Sequence, residues 1–158
     1  MPNHLSNNDP PIVSSALKIP IAYMAKEELY KVPILNLLIT SLAAFSVNRE
    51  KVEKTTIKAT KEIVSKGWNL GIFLEGTRSK KEGYLGKPNL GAAYIANLNK
   101  VQILPVGVTG SNKPFGPVTV TVGKPFYPDE DLEKAKLQCA EKLAELTGFK
   151  VVEEDTIQ

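Results

Sequence analysis

Apolar positions along this chain follow two rhythms. Residues 53–66 set Ile57, Ile63 and Val64 among charged neighbours and stop at Gly67, which predicts an amphipathic helix with a glycine end. Residues 129–147 predict a longer helix, opened by aspartates and closed by Gly148. Shorter helices are expected over 10–17 and, with a face of small residues, over 89–98. Between them, short apolar or alternating runs at 20–25, 44–48, 70–74, 101–109 and 118–123 predict strands. Strands alternating with helices predict an α/β fold, a mostly parallel mixed sheet flanked by helices. The organisation expected is one domain over 1–150 and an acidic, frayed tail over 151–158.

Residues 33–45 are apolar nearly all round. They are too short to cross a bilayer, which takes about 20 residues. Two readings fit the run: a buried core helix, or a surface that dips into a membrane or lines an acyl-chain channel.

The 158-residue length and 42% hydrophobic content fit a globular chain with a real core. The single cysteine, Cys139, excludes an internal disulfide and leaves cytosol as the default compartment. A net charge of +3 is mild and favours an anionic surface or an acidic carrier without choosing between them. Dispersed basic residues and 7% aromatics give nucleic-acid binding no support. Phosphate-loop and dinucleotide glycine motifs are absent, as is any Cys/His cluster with metal spacing, so no metal is expected.

Candidate chemistry gathers in two places. Phe73-Leu74-Glu75-Gly76-Thr77-Arg78-Ser79 follows a predicted strand with a carboxylate, a glycine, a hydroxyl and a guanidinium. Ligands bind at strand ends in open α/β sheets, and arginine matches phosphate oxygens. Near the start stands the only histidine, His4, five residues before Asp9. Their side chains meet only if the chain turns between them, and Asn7, Asn8 and Asp9 suit such a turn. Asp9 then either caps the following helix or accepts a hydrogen bond from the imidazole and leaves its other nitrogen as a base.

Together these blocks resemble the glycerolipid acyltransferase family, most closely its 1-acylglycerol-3-phosphate (lysophosphatidate) acyltransferases. His4 with Asp9 matches the family's His-x4-Asp block. Phe45-Ser46-Val47-Asn48-Arg49 matches its second block, Glu75-Gly76-Thr77-Arg78 its third, and Ile103-Leu104-Pro105-Val106 its fourth. The resemblance runs from Asn3 to Phe126. Leu74 stands where the family has proline, and Asn89 where it has lysine, with Lys87 close by.

The resemblance implies a glycerol-3-phosphate acyltransferase-like fold. It also implies transfer of a fatty acyl group from acyl-CoA or acyl carrier protein to the free hydroxyl of 1-acylglycerol 3-phosphate, giving phosphatidate. The second and third acceptor choices are glycerol 3-phosphate and another lysolipid. A lipid-phosphate-binding module without catalysis is the alternative. In the implied mechanism His4 is the base and Asp9 its orienter, while Arg49 and Arg78 hold the acceptor phosphate. Glu75 orients an arginine or a glycerol hydroxyl, and Gly76 and Thr77 donate. A thioester is already activated, so no cofactor is expected beyond the acyl-CoA or acyl carrier protein co-substrate. The place implied is peripheral, on the cytoplasmic face of a membrane. Family members carry a strand directly ahead of the histidine, so this chain is expected to lack its N-terminal part, to hold His4 on a fraying end and to be weakly active or inactive.

Overall fold

In the computed structural model, residues 1–26, 45–47 and 54–152 are described. The elements run α1 (Asp9–Leu17), β1 (Ile21–Lys26), β2 (Phe45–Val47), α2 (Lys54–Ser65), β3 (Asn69–Gly71), β4 (Tyr84–Leu85), α3 (Gly91–Asn99), β5 (Val106–Thr109), β6 (Thr119–Val122), α4 (Leu132–Thr147) and β7 (Lys150–Val151). Each helix and strand foreseen at these places is present, with shifted ends. The apolar run at 33–44, Asn48, Arg49 and the tail beyond residue 152 lie outside the described residues. The chain divides into two compact units, Leu17–Gly71 and Met1–Ala16 with Ile72–Gln158.

The smaller unit holds a parallel sheet of order β2-β1-β3. Its last strand ends at a glycine for a steric reason. A Cβ on Gly71 would stand 2.4 Å from the ring of Tyr23 and 2.9 Å from Ile21, side chains of β1 that lie across it. In α2, Thr56 and Thr60 are buried, and the Thr60 hydroxyl returns its hydrogen bond to the Ile57 carbonyl at 3.0 Å. Gly67, at φ +76°, turns the chain out of the helix toward β3.

The larger unit carries the antiparallel pair β5–β6, a further antiparallel bridge between Ile103 and Phe126, and the parallel pair β4–β7. Helices α3 and α4 pack on each other, with Leu74, Leu85, Ala96, Ile103, Cys139, Ala140 and Leu143 as the buried core. Asp131 caps α4 by accepting from the amides of Glu133 and Lys134, and Gly148 ends it at φ +70°. Helix α4 presses so close to β5 that a Cβ on Gly107 would stand 2.9 Å from Leu146.

Two expectations need correction. Val151, read as the start of a free tail, pairs with Leu85. The loose end expected at His4 is instead tied down: residues 1–3 are joined to their neighbours by an isolated bridge and hydrogen bonds. Pro2 bridges Val106 in parallel, the Val106 amide donates to Met1, and the Leu74 amide donates to Pro2 at 3.1 Å. Asn3 extends this pairing with its side chain. Its amide donates to the Val108 carbonyl at 2.9 Å and accepts from the Val108 amide at 2.7 Å, fully buried. His4 is therefore held by backbone and side-chain bonds on both flanks rather than by a frayed end.

Candidate active site

His4 follows this pinned segment directly, and α1 starts five residues later with Asp9 as its first residue. The turn between them brings His4 Nδ1 to 2.8 Å from Asp9 Oδ2. The same oxygen accepts from the amides of Leu5 and Ser6, each at 2.7 Å, and Oδ1 accepts from the Ser111 hydroxyl at 2.5 Å. Asp9 thus turns back toward the histidine and the two amides after it. Its side chain is fully buried while 17% of the His4 side chain stays open. Burial opposes the Asp9 charge, but the hydrogen bonds from His4, Ser111, Ser6 and Leu5 outweigh it and hold the carboxyl below its ordinary range. With Nδ1 tied to a carboxylate, the proton of a neutral imidazole sits there and the Nε2 lone pair is left for a substrate.

The second cluster folds onto the first. The Phe73 ring stacks on the His4 imidazole, centroids 4.0 Å apart and planes 23° from parallel. The chain then turns sharply, with the Gly76 amide donating to the Phe73 carbonyl and Gly76 at φ +65°, a conformation glycine adopts without strain. The Ser79 amide donates to the His4 carbonyl at 2.8 Å, closing the loop against the histidine. Leu74 supplies the backbone donor to Pro2 that a proline there would lack. Asn89 braces the loop from the other side, its amide nitrogen donating to the Glu75 carbonyl at 2.7 Å and its backbone amide to that of Leu74.

Glu75 is 2% exposed, and neither carboxylate oxygen has a hydrogen-bond partner among the described residues. Burial pushes its pKa up to about 7. The amides of Glu75, His4 and Gly86 favour the charged form without closing hydrogen bonds, and the Asp9 charge disfavours it. Gly86 seats this side chain, for a Cβ there would stand 3.1 Å from Glu75 Cγ. Thr77 and Arg78 are exposed on the loop and Gly76 is half-buried. His4, Asp9, Glu75, Gly76, Thr77 and Arg78 therefore belong to one unit and one neighbourhood, whereas Arg49 lies outside the described residues. Sequence reasoning missed Ser111. It also missed the Asn3 clamp, whose partner Val108 lies 105 positions away.

A family model described as Acyltransferase matches residues 1–109. The chain belongs to the acyltransferase family. Among relatives of this acyltransferase chain, the 1-acyl-sn-glycerol-3-phosphate acyltransferase of Bacillus subtilis is 30% identical over 132 residues, covering 80% of this chain and 63% of that protein. The protein of the same name from Borreliella burgdorferi is 30% identical over 118 residues, covering 73% and 46%. The crystal structure of the 1-acyl-sn-glycerophosphate acyltransferase PlsC from Thermotoga maritima superposes with a TM-score of 0.71 at 25% identity, over 91% of this chain and 62% of that one. The expected α/β architecture and the family resemblance are both borne out. The chain spans less than two thirds of the length of each of these relatives.

Proposed function

We propose that this chain carries the acyl-transfer centre of a 1-acylglycerol-3-phosphate O-acyltransferase. The observation that carries the reading is the 2.8 Å bond between His4 Nδ1 and a fully buried Asp9, in a chain of the acyltransferase family. The names of its relatives support the acceptor. His4 Nε2 takes the proton of the acceptor hydroxyl as that oxygen attacks the thioester carbonyl of acyl-CoA or acyl carrier protein. The imidazolium is stabilised by Asp9 and returns the proton to the departing thiolate when the tetrahedral intermediate collapses. Atoms balance with no covalent enzyme intermediate and no further cofactor. Arg78 would hold the acceptor phosphate, with Arg49 as its proposed companion; the bond from the neighbouring Ser79 amide to the His4 carbonyl supports this. Thr77 offers donors to the glycerol phosphate, while the Gly76 amide is already committed to the Phe73 carbonyl and shapes the turn. Glu75, buried and without a hydrogen-bond partner among the described residues, suits a hydrogen bond to a glycerol hydroxyl better than contact with a phosphate. The enzyme would work as a peripheral protein at the cytoplasmic face of a membrane.

The test is acyl transfer from both thioester donors to 1-acylglycerol 3-phosphate, with glycerol 3-phosphate and a lysolipid as competing acceptors. His4→Ala is expected to lower kcat by ~10²–10⁴-fold while acceptor binding persists. Binding with no turnover in the parent chain, and no change in the variant, would leave a lipid-phosphate-binding module instead.

A further inference from the structure

The turn joining β5 to β6 leaves its apolar tip in solvent. Pro114, Phe115, Pro117 and Val118 are exposed, and Phe115 is wholly so, at 109%. Phe115 also holds φ at +57°, a region that strains a bulky L-residue. The turn itself is ordered: the Lys113 amide donates to Gly110 and the Gly116 amide to Lys113. Gly110, at φ +81°, lets the strands close so tightly that a Cβ there would stand 2.1 Å from the Pro117 carbonyl oxygen. A fixed turn thus holds an aromatic ring out in solvent, where an apolar phase beyond the protein would bury it favourably.

Beside it runs the loop after Glu75, where Arg78, Lys80 and Lys81 are all exposed. Lys81 lies over the Tyr84 ring at 3.8 Å. Lys113 pairs with Glu82 at 2.8 Å, which ties the two loops together and offsets the acidic residue of the basic one. Each loop is also bonded to the catalytic pair, one through the Ser79 amide to the His4 carbonyl, the other through the Ser111 hydroxyl to Asp9. The apolar tip and the cationic loop therefore form a rim of two loops tied to each other and to the His4–Asp9 pair.

We propose that this rim docks on an anionic phospholipid bilayer, with the Phe115 ring in the acyl boundary and the side chains of Arg78, Lys80 and Lys81 among the lipid phosphates. A lipid acceptor then passes from the bilayer to His4 without crossing water. A second copy of the chain fits the same surface less well, because a two-fold contact would set these cations against themselves. The docking builds on the acyl-transfer reading but is separable from it by experiment.

Co-sedimentation of the full chain with equimolar phosphatidylglycerol and phosphatidylcholine vesicles, against phosphatidylcholine alone, tests the surface. The parent is expected to bind the anionic vesicles. Phe115→Ser is expected to weaken that binding about tenfold, and Lys80→Gln with Lys81→Gln by at least about tenfold, with unchanged melting curves. Phe115→Trp should shift its fluorescence to the blue on vesicles, over the background of Trp68. Turnover of a monomeric, short-chain acceptor should survive Phe115→Ser. If the parent ignores anionic vesicles, or the variants bind as it does, the docking is overturned. It is equally overturned if Phe115→Ser merely splits a lipid-free dimer into monomers. If vesicle binding follows the variants but no acceptor is acylated, the docking stands and the acyl-transfer reading falls.

Discussion

Asp9 keeps its charge where burial works against it, because its two oxygens collect hydrogen bonds from His4, Leu5, Ser6 and Ser111. A carboxyl held low in the folded state contributes stability that is complete above its unfolded pKa and is lost as pH falls through the lowered value. Removing the most distant donor exposes the balance. Ser111→Ala should cost about 1.5–3 kcal/mol at neutral pH, the range for a hydrogen bond to a charged group. It should also make acid unfolding begin at a higher pH, read from melting curves between pH 3 and 7. Glu75 has the opposite sign. Its pKa is raised from 4.5 to about 7, so the folded state binds the extra proton between those values and loses stability as pH climbs through them. Glu75→Gln removes that penalty. The variant should gain up to about 3 kcal/mol over the parent at pH 8 and nothing near pH 4. Equal gains at both pH values in chemical denaturation would show that Glu75 is not buried unpaired.

At the scale of elements, the segment ahead of His4 is held by a side chain acting as a strand partner. Asn3 takes both the amide and the carbonyl of Val108, in line with the backbone pairing of Pro2 to Val106. Asn3→Ala leaves both groups of Val108 buried and unpaired, at an expected cost of about 2–4 kcal/mol. Faster hydrogen exchange at the amides of Leu74 and Val106, which bond to residues 2 and 1, is the accompanying sign. Elements with a period or a punctuation mark were legible. Strand β6 showed in the alternation of Val118 to Val122, though not its antiparallel pairing with β5, and α4 in Asp131 and Gly148. Residues 1–3 are too short to carry a period, and the two-residue strands β4 and β7 exist only through each other, far apart in the chain. The His4–Asp9 pair was legible because its spacing is local. Ser111 was not: a serine after a turn glycine has no signature, and its meaning comes from a partner 102 positions away.

At the scale of the whole molecule, the site rests on a core drawn from both ends of the larger unit. Leu143 is fully buried against the cluster that includes Leu74, the residue before Glu75, and Cys139, one turn earlier on α4. Leu143→Ala should cost about 2–5 kcal/mol in a denaturant titration. Cys139 reports on the same opening from within. Its thiol is buried, and burial pushes its pKa up to about 11, so a thiol reagent reacts only when the core parts. Labelling should be slow in the parent and at least roughly tenfold faster in Leu143→Ala. Unchanged labelling would mean the cysteine is reached by a local path.

The side-chain clamp at Asn3 has a consequence for protein engineering. The His4–Asp9 pair looks like a cassette of six consecutive residues, yet its alignment is dictated by Val108 and Ser111, a hundred places downstream. A graft of the opening segment alone onto another scaffold would arrive without its anchor. The hairpin has to travel with it.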